Sequence, residues 1–150
     1  MLVKKALLKN ASMVSLVVKS SIKSINSHYN TDQKLAWVHS NTKSKWEEHI
    51  RNKLVLVVED SNQKIIGVGS LMNNEITALY VVSSVQGKGL GFKLLSLLEK
   101  EVETKEIFLT ASLNSVSFYE KHGYKKIKKE DLVLGEQRIP VIKMKKIKKD

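Results

Sequence analysis

The sequence predicts an α/β (α+β) fold, a sheet flanked by helices. Two kinds of apolar pattern alternate along all 150 residues. Helical spacing recurs in several amphipathic stretches, and short apolar or alternating runs fall between them. Tight turn signals join two of those runs into hairpins, at 60–63 (Asp60-Ser61-Asn62-Gln63) and at Asn73-Asn74. A third observation is the glycine-rich stretch at 86–91, which lies between a strand-like run and a helical one.

In order along the chain, residues 3–8 read as a first strand. Asn10 or Ser12 can cap a helix to about 24, with Met13, Leu16, Val17 and 20–25 forming its apolar stripe. Asn30-Thr31-Asp32 opens a short helix holding Leu35, Ala36 and Trp37. Another spans 44–51, with Trp46 and Ile50 inward. Residues 53–59, 64–71 and 75–82 read as three successive strands. A helix over 88–102 buries Leu90, Leu94, Leu95, Leu97 and Leu98. A buried strand at 106–111 and a short helix at 115–122 follow, with Gly123 as the stop. Strands at 124–129 and 139–146 close the chain, joined by a polar stretch around Gly135.

A chain of 150 residues reads as one domain, residues 1–150, able to bury about two-thirds of its unfolded surface. No apolar run approaches the ~20 residues of a membrane span, and the N-terminus lacks the pattern of a signal peptide. The absence of cysteine excludes disulfides, thiolate metal sites and cysteine nucleophiles, and suits a cytoplasmic setting. The four histidines show no metal-ligand spacing, so no metal is expected. The net charge of +11 is uneven: residues 1–53 carry +7, 54–120 carry −3 and 121–150 carry +7. Basic ends suit polyanions, nucleic acid among them, or simply keep the chain soluble. No recognition helix or interleaved aromatics support a nucleic-acid module.

Glycines at 87, 89 and 91 leave backbone N–H groups unobstructed at a helix start, where the dipole is positive; this suits a pyrophosphate. The spacing excludes two common owners. A Walker loop needs Gly-Lys-Ser/Thr, but Gly91 precedes Phe92 and Lys93. A dinucleotide fingerprint needs G-x-G-x-x-G, but the chain reads G-x-G-x-G.

What remains, Q-x-x-G-x-G at Gln86, Gly89 and Gly91, resembles the acetyl-CoA loop of the GNAT N-acetyltransferase superfamily. Residues 114–124, with Phe118-Tyr119 followed by Gly123-Tyr124, resemble that superfamily's second signature at the expected distance. The element order is similar to the GNAT fold over nearly the whole chain. The resemblance implies a mixed, mostly antiparallel sheet, splayed where acetyl-CoA binds as cosubstrate. It implies transfer of an acetyl group to a primary amine by direct attack on the thioester. Backbone groups of Leu79, Tyr80 and Val81 would pair with the pantetheine arm, the Val81 amide nearest the acetyl group. The diphosphate would rest on Gly87, Lys88, Gly89, Leu90, Gly91 and Phe92, with Gln86 bracing the loop.

The same resemblance makes Tyr119 the acid that protonates the departing thiolate, with Phe118 packed inward beside it. Glu75 stands eleven residues before Gln86, similar to the catalytic glutamate of histone acetyltransferases in the superfamily. Alternation places Glu75 on one strand face with Thr77, Leu79 and Val81. A solvated carboxylate, with water as base, is the other reading. Ser112 stands where many members carry an Asn that bonds the cofactor, and Asn114 is either a cofactor contact or a helix cap. The stretch 25–37 is similar to the YafP-like group in its His28-Tyr29 and Trp37. Partners implied are acetyl-CoA, an amine acceptor and, as in many members, a second copy. An RNA-linked acceptor such as aminoacyl-tRNA, or CoA binding without turnover, stand as alternatives.

Overall fold

The structure, a computed structural model, describes residues 1–149. Seven strands form one sheet: β1 (Leu2–Lys5), β2 (Leu54–Glu59), β3 (Ile65–Met72), β4 (Glu75–Val81), β5 (Glu106–Ser112), β6 (Lys125–Leu134) and β7 (Gln137–Ile147). Their order is β1-β2-β3-β4-β5-β7-β6, antiparallel throughout except for the β4–β5 pair, which is parallel. Three helices, α1 (Ala11–Lys23), α2 (Thr31–Ser40) and α3 (Lys43–Asn52), cover one face. The other two, α4 (Leu90–Lys100) and α5 (Val116–Lys121), cover the opposite face.

Local chemistry sets these boundaries. The Asn30 side chain accepts from the Gln33 N–H at 2.8 Å, and the Gln33 side chain accepts from the Asn30 N–H at 2.9 Å, so α2 starts on a reciprocal cap. Thr42 caps α3 by accepting from the Lys45 N–H. Gly67 and Gly69 line the β3 face beneath α4. A Cβ at Gly69 would stand 2.8 Å from a Leu98 methyl, so glycine lets α4 settle directly onto the sheet.

Several boundaries differ from expectation. The first strand ends at Lys5, because Leu8 enters a 3-10 turn held by the Asn10 side chain, which accepts from the Leu7 N–H. The core face of α1 runs through Val14, Val17, Val18, Ser21 and Ile22, which leaves Met13 and Leu16 exposed. Leu97 is only half-buried, one position off the α4 stripe. The final hairpin is longer than predicted, and Gly135 makes its turn at φ 60°. Charged side chains hid that length, since an edge strand tolerates them.

Candidate functional site

The site begins where the sheet opens. β4 pairs with β5 only at Glu75↔Phe108 and Ile76↔Leu109, and beyond them the two strands part. The Val82 N–H bonds to the Ile66 carbonyl at 3.0 Å, which fixes the alternation along the β3–β4 ladder. Ala78, Tyr80 and Val82 bond toward β3, while Leu79 and Val81 turn their N–H and C=O groups into the opening. The Val81 carbonyl is occupied: Gln86 Nε2 donates to it at 2.9 Å, and Ser21 Oγ at 3.5 Å. This is the expected bracing of the loop by Gln86. The Leu79 and Val81 N–H groups are left facing the gap.

A bulge just upstream corrects one expectation. The register shifts between Ser70 and Leu71, which leaves Thr77 as an extra residue in β4, its Oγ1 bonded to Ser70 Oγ at 2.6 Å. The extra residue resets the alternation. Ile76 shares the α4 face with Leu79 and Val81, whereas Ala78 and Tyr80 pack toward α1 and α2. Glu75 therefore does not share a face with Leu79 and Val81. It is exposed, its charge acts on Lys53, and it lines neither cavity described below.

Downstream of β4 the chain makes a 3-10 turn (Ser83–Val85) and reaches the glycines. Gly87 (φ 83°) and Gly89 (φ 79°) occupy the left-handed region that glycine adopts freely. α4 starts at Leu90 rather than Lys88. It has no side-chain cap and no acidic residue in its first turn. The Lys93 N–H donates to the Gly89 carbonyl, so the N–H groups of Leu90, Gly91 and Phe92 precede the first intrahelical bond and lack partners among the described residues. Positive dipole and open amides give this turn the chemistry to hold an anion. The exposed Lys88 adds charge beside it.

Across the gap stands α5. Tyr119 is buried and meets Phe118 and Tyr124 edge-on, while Phe118 is only half-buried and lies 3.5 Å from where a Gly91 Cβ would be. The inward position expected for Phe118 thus belongs to Tyr119. The Tyr119 hydroxyl makes no hydrogen bond among the described residues, and burial, reinforced by Tyr80, raises its pKa well above that of a free phenol. Burial also pushes Tyr80 up to about 12, with the Trp37 side chain pulling the other way. Asn114 lies in a 3-10 turn and caps nothing; Ser115 occupies the N-cap position of α5. Ser112 is bonded to Ser115 at 2.8 Å.

Two cavities meet here. One, of about 760 Å³, runs past the glycine loop and is lined by Leu90, Gly91, Phe92 and Phe118 among others. The other, of about 430 Å³, is walled by the end of α1, the loop after it and the parted strands, and contains Tyr80 and Ser112. Both are lined by Leu79, Val81, Gln86, Asn114, Ser115 and Tyr119. Among the described residues no charged side chain lines the smaller cavity, whose polar side chains are mostly hydroxyls.

Two contributions were missed in the sequence. His122 stacks on Phe92 at 4.5 Å and meets Phe118 edge-on, lining the glycine-loop cavity with Lys121. Its signal was its position one helical turn after Phe118. Tyr29 entered the sequence reading only through the likeness of residues 25–37 to the YafP-like group, without a role. Its hydroxyl donates to the Pro140 carbonyl at 2.7 Å and accepts from the Leu113 N–H at 2.9 Å, pinning the loop after α1 to β7 and to the end of β5.

Residues 25–148 match the family described as acetyltransferase (GNAT) domain. No curated protein sequence matches. Among solved structures, a GCN5-related N-acetyltransferase from Rhodopseudomonas palustris is 22% identical, with a TM-score of 0.91 over 97% of this chain and 94% of that one. PaiA N-acetyltransferase from Thermoplasma acidophilum, in complex with coenzyme A, is 22% identical with a TM-score of 0.76, covering 97% and 98%. YncA from Salmonella typhimurium, with its cofactor acetyl-CoA, is 20% identical with a TM-score of 0.65, covering 100% and 95%.

Proposed function

The chain belongs to the GNAT acetyltransferase family, and on that premise we propose that it is an acetyl-CoA-dependent N-acetyltransferase acting on a primary amine of a small molecule or peptide. The observation that carries this reading is the meeting of the two cavities at Tyr119 and at the unpaired amides of Leu79 and Val81. The glycine-loop cavity suits the nucleotide end of the donor, and the hydroxyl-lined cavity suits the acceptor.

Acetyl-CoA supplies an activated acetyl thioester. The open amides of Leu90, Gly91 and Phe92 would hold the diphosphate, and the Leu79 N–H would pair with the pantetheine arm along the unfinished edge of β4. The Val81 N–H, which faces the gap, would stabilise the charge that develops on the acetyl oxygen. As the acceptor nitrogen bonds to the acetyl carbon, the carbon–sulfur bond breaks and Tyr119 donates its hydroxyl proton to the departing sulfur. Burial keeps that phenol protonated at the start of every cycle. The proton lost by the amine leaves through water in the hydroxyl-lined cavity, since Glu75 lies outside the lining.

Saturating acetyl-CoA should raise the melting temperature of the purified protein; no shift would sink the reading. Tyr119→Phe should keep that shift and lose about 10²–10⁴-fold in turnover, the usual worth of a proton donor. Full turnover in the variant would remove Tyr119 from the chemistry.

A further inference from the structure

A third, smaller cavity of about 240 Å³ adjoins the acceptor side, with Trp37, Thr77, Ala78 and Tyr80 lining both. It is built by helical spacing: Lys45, His49 and Lys53 recur every fourth residue along α3 and past its end, so they share one face. The Thr77 bulge turns β4 side chains toward that face. Among the described residues no carboxylate lines the cavity.

Its cations are lightly compensated. The Lys53 ammonium makes no hydrogen bond or ion pair among the described residues, and Glu75 and Glu48 act on it only through space. Lys45 reaches Glu48 only at 3.9 Å, in a pair too exposed to neutralise it. Burial, followed by the charges of Lys53 and Lys45, lowers the pKa of His49, so its imidazole stays neutral near pH 7.

We propose that this lobe receives a carboxylate of the acceptor: the acceptor is an extended amine bearing a negative group, and polycationic amines are rejected. The inference rests on the acceptor role assigned above to the 430 Å³ cavity. From Leu79 or Val81 to Thr77 is two to four residues of strand, so amine and carboxylate stand roughly 7–13 Å apart. That span fits an ω-amino acid or the N-terminus of a peptide with an acidic residue near its start. A polyamine or lysine-rich tail would bring cation against cation.

The chain's two tryptophans, Trp37 and Trp46, both line this lobe, so their emission reports its occupancy. Glutarate at low salt should change that emission saturably, cadaverine of similar length should not, and Lys53→Gln should weaken the glutarate response at least tenfold. Among acceptors, Ala-Glu-Glu should exceed Ala-Lys-Lys at least tenfold in kcat/KM, and Lys53→Glu should erase that preference. Turnover of 5-aminovalerate as well would identify a small acceptor; turnover of the peptide alone would identify a protein N-terminus. A response to cadaverine, silence toward glutarate, or a peptide order indifferent to Lys53 overturns the proposal. Those results leave the acetyl-CoA melting shift in place, whereas failure of the parent reading removes it.

Discussion

Replacing Tyr29 with phenylalanine isolates a single oxygen. The ring stays against Trp37, 5.5 Å between centroids and edge-on, so no cavity opens. What disappears are two bonds, to the Pro140 carbonyl at 2.7 Å and from the Leu113 N–H at 2.9 Å. Two neutral hydrogen bonds at a net of about 1 kcal/mol each give a loss of about 2 kcal/mol. For a chain of this size that lowers the melting temperature by about 4–8 °C. The loop after α1 would lose its tie to β5 and β7, so the acceptor KM should rise. The glycine loop is untouched, and acetyl-CoA affinity should hold. Circular-dichroism melting with and without acetyl-CoA, beside steady-state kinetics, checks both halves. A melting temperature within 1 °C of the parent protein would refute the clamp.

Gly89→Ala forces a side chain into the left-handed region, a strain of about 1–2 kcal/mol, so acetyl-CoA affinity measured by calorimetry should fall about tenfold; unchanged affinity would deny the loop its role. Glu75→Gln should leave kcat within a few-fold of the parent, because the carboxylate lies outside the cavities; a drop beyond 100-fold would restore Glu75 as the base. Stability should fall in alkali. Tyr80 is raised to about 12, and Tyr119 and Tyr124 are raised further, chiefly by burial. The unfolded chain then releases these protons first, above about pH 10. Their contribution is full below pH 10 and is lost as pH rises toward the folded-state values. Melting temperature should therefore hold from pH 7 to 9 and fall steeply beyond 10; a flat profile to pH 11.5 would contradict this burial.

The glycine-loop side of the candidate site was legible because it is local. The glycine loop and the Phe118-Tyr119 helix each lie within a dozen residues, and their side chains act on their own backbone or on the next element. The side around the smaller cavity depends on contacts between distant segments. Nothing near Tyr29 announces Pro140 or Leu113, and nothing near Thr77 announces an extra residue against Ser70. That one bulge turned an alternation argument for Glu75 onto the wrong face. β6 and the start of β7 were shortened for the opposite reason: polarity was read as loop where β6 stands at the edge of the sheet and pairs with β7 along its whole length. The outward Met13 and Leu16 show a stripe rotated by packing against β3 and β4, which helical spacing alone does not orient.

The parting of β4 from β5 has a mechanical meaning. With two residue pairs holding them, the sheet is two plates, β1 to β4 and β5 with β7 and β6, joined along a short seam. A molecule that bonds along the open length of β4 and reaches α5 on the far plate acts as a stitch. On the proposed reading the donor would be a structural member for as long as it stays, and its departure as product should loosen the seam. Amide exchange at Leu79 and Val81 and the relative motion of the two plates should rise and fall together with occupancy, so that the reaction cycle is also a cycle of stiffness.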